Sequence, residues 1–359
     1  MTRIIRLFCF ALSISCALPL LAQDSENIFS IRTANVKGTD LRTIYTDPYR
    51  QATHIRVSPD GRWIMFSRYN DKDPKDGLAK ENWGGHNHYE NTELLLMRSD
   101  GSGLRTLVAP KNGIMAVNSN WTDDGKGFVF VSTDNNRRIP EIRRAYLTSS
   151  MEVSHFETVN LPEHLIPVDP HLHKGKLVFP AVNLQDFVRG LWIANEDGSG
   201  LRQLTTPINP DTGKIVKHPN SGDNDPRFSP SGTKVAFMRL VEGHSLWEIY
   251  VIDIASSKET NLSSKHLLPQ QIDAVPEWSG DSKQLIFWTA DIKNIIFSIT
   301  TMRPDGTERS TILNNPDIFQ QSPAFFPGTG SGPNAKIAFS TWEIPKWKLR
   351  AGRLLSKIK

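Results

Sequence analysis

The sequence predicts an all-β chain: one six-bladed β-propeller of four-stranded blades, with the N- and C-terminal segments sharing a blade and closing the ring. Three observations lead there. A unit of roughly fifty residues recurs, and periods of that size mark solenoids, propellers or arrays. Its first half occurs six times. An orphan second half stands near the N-terminus, where no first half precedes it.

The clearest first halves are His54-Ile55-Arg56-Val57-Ser58-Pro59-Asp60-Gly61 before Trp63-Ile64-Met65-Phe66, and Asp225-Pro226-Arg227-Phe228-Ser229-Pro230-Ser231-Gly232 before Val235-Ala236-Phe237. Asn118 to Gly125 before Phe128-Val129-Phe130-Val131, and Val275 to Asp281 before Leu285-Ile286-Phe287-Trp288, are close variants. Asp169-Pro170-His171-Leu172 and Ser322-Pro323-Ala324-Phe325 are degenerate ones, running to Phe179 and Phe339. Second halves run from Leu94-Leu95-Leu96-Met97 through Asp100-Gly101 to Leu107, and from Leu191-Trp192-Ile193 through Asp197-Gly198 to Thr205. Trp247 to Leu262 and Ile296 to Leu313 repeat the pattern.

The unit has a plain physical reading. Ser-Pro-Asp-Gly suits a tight turn, because Pro presets φ and Gly accepts φ > 0. The flanking runs are β-branched and aromatic with period two, as strands require. A four-stranded sheet of this size must bury its faces on neighbours, and radial stacking does so while leaving short edges. Residues 28 to 45 supply the orphan second half, and Ser322 to Phe339 a first half that lacks one, so the two are expected to share the last blade.

The first 22 residues read as a signal peptide. Arg3 and Arg6 precede an apolar run from Leu7 to Leu21, too short to span a membrane, with a cleavage point after Ala22. Residues 23–359 then form the single propeller domain, with a basic tail from about 343 to 359. The chain's only two cysteines, Cys9 and Cys16, lie in the segment to be removed, so the mature chain is expected to have no disulfide and no thiol chemistry. Formal charge falls from +4 to +2 when Arg3 and Arg6 leave, which gives no electrostatic case for nucleic acid. The expected location is periplasmic or secreted. Basic residues of the tail, with Trp342 and Trp347, imply at most peripheral contact with a membrane.

The innermost strands are where chemistry is expected. Aligned across blades, their starts are His54, Asn118, Asp169, Asp225, Val275 and Ser322, and their third positions are Arg56, Asn120, His171, Arg227, Glu277 and Ala324. Trp121, Phe228, Trp278 and Phe325 take the next place and should pack between blades. A polar and ionisable parity suits a wet channel rather than a packed face. His54, Arg56, Asn118, Asp169, His171, Asp225, Arg227 and Glu277 are therefore the predicted ligand site at one channel mouth. His171 and His173 lie on one face of a strand at a spacing known from metal sites, and are the predicted metal ligands. Ca2+ or another divalent cation in the channel is compatible with these groups. His86 and His88 in a long insert are read as exposed. Asp71, Asp73, Asp76 and Gly77 resemble a calcium loop only loosely, since Lys75 falls on a ligand position.

These repeats resemble the PD40, or TolB-type, repeat, whose consensus runs Pro-x-Trp-Ser-Pro-Asp-Gly, then a strand ending near Phe, then a strand leading to Asp-Gly and a Leu-Thr strand. The match spans residues 28 to about 342. The resemblance implies a propeller but not a particular task. TolB carries an α/β domain before its propeller; here the repeats start within about six residues of the expected cleavage site. Propeller peptidases join a hydrolase domain, but Gly328-Thr329-Gly330-Ser331-Gly332 lacks the spacing of a nucleophile elbow. Oligogalacturonate lyases carry Gln-x-x-His-x-His before a Pro-Asp turn. Gln51 and His54 match, whereas Arg56 stands at the second His and cannot ligate a metal. The reading is a monomeric, non-catalytic binding module for an envelope protein, peptide or glycan; the alternative is a metal-dependent polysaccharide lyase or hydrolase.

Overall fold

The computed structural model describes residues 28–48, 50–69, 91–111, 113–217, 221–241, 245–266, 271–294 and 296–343. The expected signal peptide with Cys9 and Cys16, the insert with Asp71, Asp73, Asp76, Gly77, His86 and His88, and the tail beyond residue 343 lie outside them.

The described residues form strands and turns without a helix, in six antiparallel sheets. Strands β1 (Ile28–Asn35) and β2 (Arg42–Asp47) come first in the chain but form the outer half of the last blade. Blade 1 is β3 (Ala52–Val57), β4 (Trp63–Arg68), β5 (Glu93–Arg98) and β6 (Arg105–Val108). Blade 2 is β7 (Ala116–Trp121), β8 (Gly127–Ser132), β9 (Glu141–Leu147) and β10 (Val153–Thr158). Blade 3 holds β11 (Leu165–Pro167), β12 (His171–His173), β13 (Lys176–Asn183), β14 (Arg189–Asn195) and β15 (Arg202–Gln203). Blade 4 is β16 (Gly222–Phe228), β17 (Lys234–Val241), β18 (Ser245–Asp253) and β19 (Glu259–Asn261). Blade 5 is β20 (Gln271–Trp278), β21 (Leu285–Asp291), β22 (Ile296–Met302) and β23 (Ser310–Asn314). Blade 6 starts with β24 (Ile318–Phe325) and β25 (Lys336–Glu343) and is completed by β1 and β2.

The chain ends therefore meet as the repeats implied. Strand β1 pairs β25 along its whole length, from Ile28 opposite Glu343 to Asn35 opposite Lys336, and Arg32 ion-pairs with Glu343. Innermost strands touch in cyclic order, with β24 returning to β3. The apolar cores lie between blades rather than within them. Ile31 and Ala338 of blade 6 pack on Ile55, Ile64, Phe66 and Leu95 of blade 1, and Met65, Leu94 and Leu96 on the other side of blade 1 pack on Trp121, Phe128 and Phe130. Neighbour burial is what a sheet this small needs, at about 1.5–3 kcal/mol for each large apolar side chain.

One irregularity recurs in every blade and positions the site. The innermost strand carries one more residue than its partner: two lie between paired neighbours where the partner has one. In blade 3 the break is wider, three residues against two, and splits the strand into β11 and β12. Pro167, at the end of β11, cannot donate to the ladder and is peculiar to this blade, whereas Pro170 recurs as Pro226, Pro276 and Pro323 in strands that stay whole. The extra residue begins at His54, Asn118, Asp169, Asp225, Val275 or Ser322, each with φ between 41° and 57°. Opposite each bulge stands a buried phenylalanine: Phe66, Phe130, Phe179, Phe237, Phe287 and Phe339. Asn, Asp and His tolerate left-handed backbone; Val275, β-branched, is a strained outlier held by the surrounding ring.

Candidate functional site

The eight expected site residues divide into two tiers. Beyond the bulges, each innermost strand runs out to its Ser-Pro-Asp-Gly or related turn. At that end Arg56, Asn120, His171 and Glu277 line a cavity of about 290 Å³, walled by Trp121, Phe228, Trp278 and Phe325. The turns that hold the rim are self-bonded: Ser58 Oγ donates to Asp60, and the Gly61 amide donates to the Ser58 carbonyl at 2.8 Å.

Two of the aromatic walls tie blades together. Trp121 Nε1 donates to the carbonyl of Arg56 at 3.1 Å, and Trp278 Nε1 to that of Arg227 at 3.0 Å. Each indole thus packs between blades, as expected, and satisfies a buried carbonyl of the preceding one. The Phe228 ring sits 5.7 Å from His171 and 5.9 Å from His173.

Deeper in, behind this cavity, lie the bulge residues. His54, Asp169 and Asp225 come together from blades 1, 3 and 4, each offering one ligand atom, all within 4.8 Å of one another. Asn118 holds the same bulge position on blade 2, and neither atom of its amide has a hydrogen-bond partner among the described residues. Arg227 links the tiers: its guanidinium is 3.3 Å from Glu277 in the outer one and 3.6 Å from Asp225 in the inner one. Arg56 donates to Asn120 Oδ1 at 2.7 Å and to its neighbour's carbonyl, Ile55, at 2.8 Å.

The expectation of a wet channel is corrected for these groups. His54 is 7% exposed, Asp169 1% and Asp225 3%, and Arg56, Asn118 and Arg227 are buried as well. Electrostatics follow. Burial, opposed by Arg56, pushes the Asp225 carboxyl up to about 6. Burial, then the Asp225 charge, pushes Asp169 well above the usual carboxylate range, against Arg56, Arg189 and the nearby Asp225 amide. Burial and the Arg56 charge hold His54 down at about 3, so its imidazole is neutral. Burial holds His171 down at about 4.

Three of the four ring nitrogens of the histidine pair expected to ligate metal have hydrogen-bond partners. His171 Nδ1 accepts the Phe228 amide at 2.9 Å. His173 Nδ1 lies 2.7 Å from Asp123 Oδ1 and its Nε2 3.1 Å from the Pro230 carbonyl, so the ring is held between neighbouring blades. The same-face spacing is real, with rings 6.4 Å apart, but it serves blade contacts in this arrangement. Arg189 and Tyr69 were not singled out in sequence. Arg189 lies buried at the start of β14 and acts on the charge of Asp169; the Tyr69 hydroxyl is 3.4 Å from His54 Nδ1. A lone Arg opening an apolar strand was the available signal for the first.

No protein-family model matches the chain, and no curated protein matches it in sequence. Solved structures do match. TolB from Acinetobacter baumannii superposes with a TM-score of 0.59 at 14% identity, over 88% of this chain and 70% of that one. A protein assigned as TolB from Agrobacterium tumefaciens gives 0.58 at 15% identity, over 88% of this chain and 99% of that one. An oligogalacturonate lyase in complex with manganese gives 0.48 at 11%, over 91% and 88%. In fold, the chain is a TolB-like six-bladed β-propeller.

Proposed function

We propose that the chain is an exported, non-catalytic binding module that holds an envelope protein, peptide or glycan at the outer cavity. The observation that carries this is the chemistry of that cavity: Arg56, Asn120, His171 and Glu277 offer both charge signs and hydrogen bonds, and four aromatic rings offer apolar area around them. Concave sites with apolar walls and a few convergent polar groups are the usual form of binding sites. His54, Asn118, Asp169, Asp225 and Arg227 lie behind it and support its floor. The basic start and apolar run of residues 1–22 support export to the periplasm or beyond.

Site-specific photo-crosslinking in intact cells tests the reading. A crosslinker replacing Phe325, at the mouth, should capture an envelope component. One replacing Phe156, exposed on the outermost strand of blade 2, should not. Glu277→Gln should weaken capture at Phe325 by roughly tenfold, the size of one charged hydrogen bond. Equal capture at both positions, or none at the mouth, refutes it. Chain recovered from the envelope and denatured should show no free thiol; a thiol signal would mean that Cys9 and Cys16 remain attached.

A further inference from the structure

We propose that His54, Asp169 and Asp225 form a binding site for a divalent transition-metal cation, of the Mn2+ or Zn2+ class, on the propeller axis. This goes beyond the binding reading above and does not depend on what occupies the mouth.

The geometry has two independent parts. First, the three ligand atoms gather within 4.8 Å from three separate blades, each side chain projecting from the first residue of a bulge. Second, the acceptors are unspent. Among the described residues, no hydrogen bond of normal geometry reaches either Asp169 oxygen or Asp225 Oδ1, although both residues are more than nine-tenths buried. Buried carboxylates are ordinarily hydrogen-bonded, ion-paired or metal-bound. The guanidiniums nearby balance charge without donating a hydrogen bond to these oxygens: Arg227 ion-pairs with Asp225 only at 3.6 Å and is shared with Glu277, Arg189 acts on Asp169 through its charge, and Arg56 bonds to Asn120 and Ile55.

The ligand set selects the class of ion. Calcium takes six to eight oxygens. Here two carboxylates and an imidazole converge, a nitrogen–oxygen set that suits first-row dications. His54 Nδ1 faces the Tyr69 hydroxyl, which can orient the ring and leaves Nε2 for the ion. Asn118, on the blade between His54 and Asp169, has an unspent amide oxygen for a further position.

The test uses the purified full chain, stripped with EDTA and desalted. It is titrated separately with MnCl2, ZnCl2 and CaCl2 up to about 100 μM, and read by metal content after desalting and by Tm. One equivalent of Mn2+ or Zn2+ per chain with a raised Tm is expected, and no comparable binding of Ca2+. Asp169→Asn and His54→Asn, which keep side-chain size or tolerance of the left-handed backbone, should each weaken binding by roughly 100-fold or more. His173→Gln should leave it intact. No stoichiometric binding by the parent chain, preferred binding of Ca2+, binding retained by both single variants, or loss on His173→Gln would each overturn the assignment. Should the variants fail to fold, the parent titration alone decides, and none of these outcomes bears on crosslinking at the mouth.

Discussion

Asp223 and Asp225 lie two residues apart on β16, yet removing their charges should have opposite effects. Asp223 is fully buried and saturated: it accepts Arg239 Nε at 2.5 Å and Nη2 at 3.0 Å, and the Thr205 hydroxyl. Asp223→Asn removes one partner of a buried ion pair, which costs about 3–5 kcal/mol. Arg239 would keep Glu259 at 2.6 Å, so the lower end of that range is expected. Asp225 has no such shell. Its carboxyl is raised from 3.8 to about 6, so the charged form costs about 3 kcal/mol, at about 1.4 kcal/mol per pH unit. Below about pH 3 the group is protonated in both folded and unfolded chain. Between about pH 4 and pH 6 the unfolded chain ionises first, so stability falls as pH rises. Asparagine never ionises. Asp225→Asn should therefore match the parent at about pH 3 and exceed it by up to about 3 kcal/mol at pH 7.5. Urea unfolding followed by fluorescence of the nine tryptophans measures both, with EDTA present so that no metal contributes. A loss of several kcal/mol for Asp225→Asn at pH 7.5 would show a true buried pair with Arg227 and refute the reasoning. So would a cost below about 1 kcal/mol for Asp223→Asn.

Deleting residues 28–47 removes β1 and β2 and bares the edge of β25, so aggregation in size-exclusion chromatography is expected instead of a soluble ring. Trp278→Phe keeps the ring but leaves the buried Arg227 carbonyl without its indole donor; a loss of about 1–3 kcal/mol by urea unfolding is expected. Gly222 has φ 113°, and a Cβ there would meet the Arg189 carbonyl oxygen at 2.2 Å, so Gly222→Ala should cost more than about 2 kcal/mol and lower Tm.

Blade number and ring closure were legible because turn chemistry repeats: Ser58-Pro59-Asp60-Gly61 and its variants can be counted, and the orphan half at residues 28–45 has one place to go. The bulges were not legible. A bulge is a difference in count between two paired strands, and residues as unlike as Val275 and Asp225 occupy it, so no side-chain type announces it. Without it, the starts and third positions read as one polar parity. The structure instead separates them into an enclosed cluster and an outer cavity. The His171–His173 spacing was read correctly as one face of a strand, but its partners Asp123 and Pro230 come from other blades about fifty residues away, beyond the reach of local pattern.

The six bulges also make the axis editable. Each blade holds one left-handed residue at the same point, so backbone shape there is fixed by the ring and the side chain is nearly a free choice. At present the sockets read His, Asn, Asp, Asp, Val and Ser around the circle, and blades 5 and 6 contribute neither charge nor imidazole. Chemistry can thus be changed one blade at a time without redesigning a loop or a strand. Val275→Asp or Ser322→His would put a carboxylate or an imidazole at the same bulge position of a further blade, and the first would also replace a β-branched residue in left-handed backbone with one that tolerates it. Repetition here supplies more than a closed wall: it supplies a numbered set of interchangeable positions around a single point.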